Sequence, residues 1–168
     1  MTKSSFLMTI KSIRREYPRR LSHVSKMGFI EKFSYLIAND GKFNKYFKVL
    51  LNEEQNKIWI DFRLFYEDKP TKHDVTLTQD EYHYLAKYLK AIHLKESIDM
   101  APYYNMYRRL DVYKIQMFYV IELTRVVIGV SKRIRVTPQD IARLYELDQS
   151  QNKVYKEYCE NIIENGGL

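Results

Sequence analysis

The segment from Lys57 to Glu67 alternates cationic and aromatic side chains in a pattern that can bind single-stranded nucleic acid. In a flat strand one face receives Ile58, Ile60, Phe62, Leu64 and Tyr66, and the other receives Lys57, Trp59, Asp61, Arg63, Phe65 and Glu67. Cations neutralise phosphates and flat rings stack on bases, so the second face is a candidate nucleic-acid surface. The alternative is a face covered by helices of the same chain, with Trp59 and Phe65 buried.

Patterns typical of catalysis or metal binding are weak in this sequence. Asp61, Glu67 and Lys69 resemble the ligand set of metal-dependent nucleases, but one continuous strand cannot converge them on a single metal. The four histidines lack the spacing of metal ligands, and the single cysteine, Cys159, has no neighbouring base. The five glycines form no phosphate-binding loop. We therefore predict a protein that is not an enzyme and that needs no metal or cofactor.

The net charge of +7 is concentrated at the N-terminus. Residues 1–28 contain seven bases and one acid, whereas the rest of the chain is nearly balanced. A basic arm attracts phosphates, and the predicted contacts in it are Arg14, Arg15, Arg19 and Arg20. A targeting peptide has a similar composition and is the alternative. Because no apolar run approaches the ~20 residues of a membrane span, we expect no membrane partner.

The order of strand and helix signals predicts an α+β fold. Four candidate strands are separated by turn residues: 29–38, 46–51, 57–67 and 75–77. Thr78 and Glu81 have the spacing of a capping box, which predicts a helix that ends near Ile92. We predict three regions: a basic arm over 1–28, a small curved antiparallel sheet with a capped helix over 29–95, and a mainly helical extension over 96–168.

The extension contains mixed signals. Apolar residues recur at helical spacing across 103–130, while the abundance of β-branched residues favours strands. Thr137-Pro138-Gln139-Asp140 is a typical helix start, and helices are predicted over 138–147 and 152–163. Residues 75–81 also resemble residues 134–140, since both combine a short apolar run, a capping Thr and a helix start. A duplication is one explanation, and the general frequency of capping boxes is the other.

Residues 57–89 resemble the transcriptional coactivator family called positive cofactor four. The shared features are an Ile-Asp-apolar-Arg strand, an aromatic pair, an acidic turn with bases, an apolar-Thr-Leu-Thr strand and a capped helix. The resemblance implies a curved four-stranded antiparallel sheet followed by a helix. It also implies dimerisation through the helices, and single-stranded or melted DNA bound on the sheet.

The resemblance assigns DNA contacts to five residues: Lys57, Arg63, Tyr66, Lys72 and His73. The strand pattern adds Trp59 and Phe65 as stacking candidates. Strand alternation puts Arg63 and Tyr66 on opposite faces, so both reach DNA only if a bulge intervenes. The loop 71–74 lacks the glycines of the family and contains an additional acid, and the preceding turn has Glu-Gln where the family has Phe-Lys.

The sequence therefore predicts a homodimer that binds single-stranded or melted DNA in transcription or replication, in a nucleus, a nucleoid or a virus-infected cell. If residues 1–28 are a targeting peptide, an organelle is the predicted location. Arg63→Ala should then weaken binding and reduce the salt slope by about one contact. The alternative is an assembly subunit of a viral or ribonucleoprotein complex, whose basic arm docks on RNA or on a partner protein.

Overall fold

The computed structural model describes residues 28–150 and 152–160, where the chain forms the same arrangement twice. The first antiparallel sheet contains, in spatial order, β1 (Phe29–Asp40), β2 (Phe43–Asn52), β3 (Lys57–Tyr66) and β4 (Lys69–Thr78). Helix α1 (Gln79–Leu94) follows it. The second sheet contains β5 (Tyr103–Asn105), β6 (Arg108–Ile115), β7 (Phe118–Arg125) and β8 (Val130–Val136), followed by α2 (Pro138–Gln149). A short helix α3 (Lys153–Tyr155) continues into a π-helical turn, Lys156–Glu160. The α+β class is confirmed.

The strands and the capped helix of the first unit follow from the sequence pattern. The capping box is present, because the Thr78 hydroxyl accepts from the Glu81 amide at 3.1 Å and the Glu81 carboxylate accepts from the Thr78 amide at 2.9 Å. β4 begins earlier than the sequence indicates, because the turn before it is only Glu67-Asp68, with both residues at positive φ. The predicted arm contacts Arg14, Arg15, Arg19 and Arg20 lie outside the described residues.

The prediction of a mainly helical extension over 96–168 is wrong for residues 103–136, which form the second sheet. Burial alternates there with period two, since Leu110 and Val112 are buried on β6 and pair with the buried Leu123 and Ile121 on β7. The apparent helical spacing arose because the exposed turns between these strands also contain apolar residues. The predicted helix start at Thr137 is confirmed, and α2 has a complete capping box.

The two units correspond strand by strand. Phe62 on β3 pairs with Val75 on β4, and Ile121 on β7 pairs with Ile134 on β8. Val75 and Ile134 occupy equivalent positions, because each lies two residues before the last apolar residue of its strand. The likeness between residues 75–81 and 134–140 therefore extends to the strand order and to the pairing of the third and fourth strands, although β5 has three residues where β1 has twelve. Both units contribute to one hydrophobic core, in which α1 and α2 are in contact.

A base from each unit binds the capping-box carboxylate of the other. On β6, Arg108 donates from Nε and Nη2 to the two oxygens of Glu81, at 2.8 Å each. On β2, Lys45 forms the matching ion pair with Asp140 at the start of α2. The carboxylates are 1% and 3% exposed, so each helix start depends on a cation from the other unit.

The C-terminal segment is held by the buried side chain of Tyr155. Its hydroxyl donates to the Asp148 carboxylate at 3.1 Å and forms a 3.0 Å hydrogen bond with the Tyr82 hydroxyl. Burial raises the pKa of Tyr155, and the neighbouring Tyr82 and Asp148 raise it further. Since the folded state holds this proton more tightly than the unfolded chain, the resulting stability is fully present below about pH 10 and is lost above it.

We expect the free energy of unfolding to fall above pH 10 by up to about 1.4 kcal/mol per pH unit for each such tyrosine. Tyr155→Phe removes the ionising group together with its hydrogen bonds, so it should cost about 1–2 kcal/mol at pH 7 and flatten the alkaline decline. Urea denaturation on both sides of pH 10 measures the two effects. The exposed Tyr104→Phe is the control and should change neither, and an alkaline slope unaffected by Tyr155→Phe contradicts the prediction.

Candidate nucleic-acid interface

The face of β3 that contains the predicted contacts points away from α1. The opposite face of the strand supplies Ile60 and Phe62 to the core, where they lie with Tyr82 and Leu85 of the helix. Trp59 and Arg63 therefore lie on the outer face of the first sheet, as strand alternation predicts. Helix α1 packs on the opposite face of β3 and does not cover this one, but Phe65 is buried, as the alternative predicted, and Trp59 is half-buried.

Arg63 on this outer face is already bound to carboxylates. Its Nη2 lies 3.0 Å from Asp74 and its Nε lies 3.3 Å from Asp61, and only 18% of its side chain is exposed. Thr76 donates to Asp61 at 2.7 Å, and Lys132 of the second unit binds Asp74 at 2.8 Å. Because these carboxylates balance its charge, Arg63 attracts a phosphate less than a solvated arginine does.

The predicted stacking rings differ in their exposure. Phe65 is 5% exposed and lies edge-on to Tyr46 at 5.4 Å, so the prediction that it is open to a base is wrong. Trp59 is half-buried, with the Lys57 ammonium 4.3 Å and the Arg108 guanidinium 5.5 Å from its ring centroid. These contacts leave less of the indole ring available than the sequence pattern indicates.

The other predicted contacts lie on a different part of the surface. Tyr66 is exposed and packs against Phe43 at a centroid distance of 4.8 Å. Lys72 and His73 are exposed on β4. The register between β3 and β4 shifts after Arg63, but β3 pairs regularly with β2 along its whole length. Arg63 and Tyr66 therefore remain on opposite faces, and the structure does not bring them together.

An open cleft of about 770 Å³ lies where the turn between β1 and β2 approaches the outer face of the second sheet. Both units line it, with three aromatic rings, three cations and a histidine among the lining side chains: Phe43, Tyr113, Phe118, Lys45, Arg133, Arg135 and His73. Asp40 and Asp140 add two carboxylates. Its volume lies in the range of pockets that bind small molecules, so it has room for a nucleotide. Of the predicted contacts, His73 lies in this cleft.

Arg135 is the cation of the cleft that is best placed for a ligand. Its guanidinium lies 4.1 Å from the ring centroid of Phe118, and its side chain is exposed. Arg133 forms an ion pair with Glu122 at 2.9 Å. The Glu122 carboxylate also accepts a hydrogen bond from the Tyr113 hydroxyl at 3.1 Å. Burial, followed by the bond to Glu122, raises the pKa of Tyr113. Within the described part of the chain Arg135 forms no ion pair, so its charge is available to a phosphate.

The corresponding outer face of the first sheet differs in charge. The positions that match Phe118, Val120 and Arg135 hold Trp59, Asp61 and Thr76. The second sheet therefore has a base where the first has a hydroxyl, and an apolar residue where the first has an acid. This difference favours the second sheet as the surface that attracts an anionic ligand.

Sequence reasoning missed Phe118 and Arg135, although a signal for them was present. The run from Val130 to Val136 alternates apolar and basic side chains near its end, as a strand with one basic face does. The helical interpretation of residues 103–130 separated this run from its partner strand. Only the pairing of β7 with β8 brings the Arg135 guanidinium next to the Phe118 ring.

The fold and the cleft define a class of protein with two tandem units, each a four-stranded antiparallel sheet followed by a capped helix. Comparison with protein-family models and with curated proteins gives no match for this chain. Across residues 28–150 and 152–160, no group of three or more His, Cys, Asp or Glu side chains is placed to hold a metal ion. In the same described ranges, no helix has both the length and the apolar character required to cross a membrane.

Proposed function

We propose that this protein binds single-stranded nucleic acid, with DNA favoured, and does not catalyse a reaction on it. The observation that supports the proposal is the stack of Arg135 on Phe118 in an open cleft lined by further rings and cations. The Arg135 charge can bind a phosphate, and because Arg135 covers one face of Phe118, a base would stack on the guanidinium plane itself or on the neighbouring Tyr113 and Phe43 rings.

A preference for single strands follows from the position of the rings. Phe118, Tyr113 and Phe43 line the wall of a cleft, so a base must leave its stack to reach them. Moving a base out of a duplex requires free energy to unstack and unpair it, and moving a base out of a single strand requires much less. Arg135 and His73 lie on the same cleft and are the proposed phosphate contacts.

The arrangement also bears on the dimer that the resemblance implies. In the family that residues 57–89 resemble, two subunits pack through their helices. Here α1 packs against α2 of the same chain. We infer that one chain supplies both units, so the helices are not free to form a homodimer. A role in transcription or replication is a further proposal that rests on the resemblance alone.

The test is a fluorescence-anisotropy titration of the full chain with labelled oligo-dT, oligo-U and duplex DNA at several salt concentrations. We expect oligo-dT to bind at least about 10-fold more tightly than the duplex, because the rings contact unstacked bases. A matched variant with Arg14, Arg15, Arg19 and Arg20 replaced by Ala separates the arm from the cleft. It should bind more weakly but keep the single-strand preference.

The outcomes distinguish this function from the alternative predicted from the sequence. Loss of all binding in the arm variant would favour an assembly subunit whose arm docks on RNA or on a partner protein. Equal affinity of the unmodified chain for oligo-dT and duplex would contradict the cleft as a base-stacking site. Tighter binding of oligo-U than of oligo-dT would keep the cleft but assign it to RNA.

A further inference from the structure

The second sheet exposes a large apolar surface at the end opposite the cleft. Seven side chains form this apolar end: Tyr104, Met106, Tyr107, Val126, Val127, Ile128 and Val130. They lie in the β5–β6 and β7–β8 turns and, for Tyr104 and Val130, at the adjoining strand ends, and the two turns adjoin because the Val126 amide donates to the Tyr107 carbonyl at 2.8 Å. Each of these residues is between 46% and 85% exposed.

The extent of this surface is unusual for a monomer. Seven large apolar residues, each at least 46% exposed, lie on adjoining loops and strand ends, whereas exposed apolar residues on a monomer are usually scattered singly. A standard interface between two proteins buries about 800 Å² per partner. A cluster of this size can supply the apolar centre of such an interface.

The charges around the apolar end indicate a neutral partner. Arg109 is paired with Asp111 at 2.9 Å, and Lys132 is paired with Asp74 at 2.8 Å. Arg125 also flanks the apolar end, and among the described residues it forms no ion pair. One such cation gives little attraction for an anionic membrane surface, and it offers little to an acidic partner.

We propose that the apolar end docks on the same surface of a second copy of this chain. A second copy presents an equal area of uncharged apolar side chains, and a two-fold contact buries both surfaces at once. The two exposed tyrosines, Tyr104 and Tyr107, have the amphipathic character that is enriched in protein interfaces. Helices α1 and α2 already pack against each other, so this end is a separate surface from the helix contact.

Association through this end leaves both clefts open. Phe118 and Arg125 occupy opposite ends of β7, so the Phe118 ring lies about 23 Å from the proposed interface along the strand, and the nearest cleft residue, Arg133 on β8, lies about 10 Å from Val130. The dimer therefore holds two clefts that face away from the contact. A single strand long enough to span both would bind more tightly than one that fills a single cleft, through effective concentration.

Sedimentation velocity on the full chain tests the proposal. We expect a dimer that dissociates on dilution, and Ile128→Asp should raise its dissociation constant at least about 100-fold, because it buries an unpaired carboxylate in the interface. Met117→Asp is the matched control. Met117 is 81% exposed on the β6–β7 turn at the other end of the sheet, and its replacement should leave the dimer unchanged. Circular dichroism verifies that both variants fold.

Each other outcome overturns the proposal. A chain that stays monomeric up to about 100 µM, or a dimer unaffected by Ile128→Asp, excludes the apolar end as a self-association surface. Binding of the monomer to lipid vesicles that depends on Ile128 would assign the surface to a membrane instead. The affinity of the unmodified chain for an oligo-dT short enough to fill one cleft is measured in parallel. If this oligo-dT does not bind, the proposed function is contradicted, and the result on the dimer is unaffected.

Discussion

We expect Glu81→Ala to lower the free energy of unfolding by about 3–5 kcal/mol, because it breaks a buried ion pair from one side. Glu81 is 1% exposed and accepts hydrogen bonds from the Thr78 amide and from Arg108 of the other unit. The substitution leaves a partly buried guanidinium without its carboxylate, and it also removes half of a capping box. It therefore weakens the start of α1 and the contact between the units together.

Urea denaturation followed by the fluorescence of the single tryptophan measures this effect, because Trp59 lies next to Arg108. Asp80→Ala is the control: the residue precedes Glu81 on the same helical turn but is exposed, and it should cost less than about 1 kcal/mol. A double-mutant cycle with Arg108→Ala isolates the coupling between the two side chains. A loss below about 1 kcal/mol for Glu81→Ala would show that the ion pair contributes little to joining the units.

We expect Phe118→Ala to weaken binding of oligo-dT by about 10- to 100-fold, which corresponds to the loss of one stacking ring. Arg135→Ala should weaken binding and also reduce the slope of log affinity against log salt by about 0.7, the value for one phosphate contact on a single strand. The two effects differ in kind, since removal of a ring leaves the salt slope unchanged. Anisotropy titrations over a series of salt concentrations separate them.

Two arginines serve as comparisons for Arg135. Arg125→Ala removes the same charge from the same sheet at the opposite end, and it should change neither the affinity nor the salt slope. Arg63→Ala should reduce stability more than binding, because Arg63 is held by Asp61 and Asp74. The sequence alone predicted the reverse for Arg63. A salt slope reduced by Arg63→Ala but not by Arg135→Ala would return the interface to the first sheet.

The first half of the fold was predictable because its signals are local. β3 has the alternating pattern of a strand, and Thr78 with Glu81 has the spacing of a capping box, so residue types at short range were sufficient. The same local chemistry at Thr137 predicted the start of α2. The second sheet was missed because its turns contain apolar residues such as Ile128 and Met117. These residues hide the period-two pattern of the strands between them.

The amino-acid sequence by itself determined the residue types available for binding, the capped helices and the strands of the first unit, because these depend on neighbours within a few positions. Tertiary structure decided which of those residues are accessible. Pairing with Asp74 occupies the charge of Arg63, and packing against Tyr46 buries Phe65. Pairing of β7 with β8 creates the Phe118–Arg135 stack. Such contacts join residues that are distant in sequence, so no local pattern encodes them.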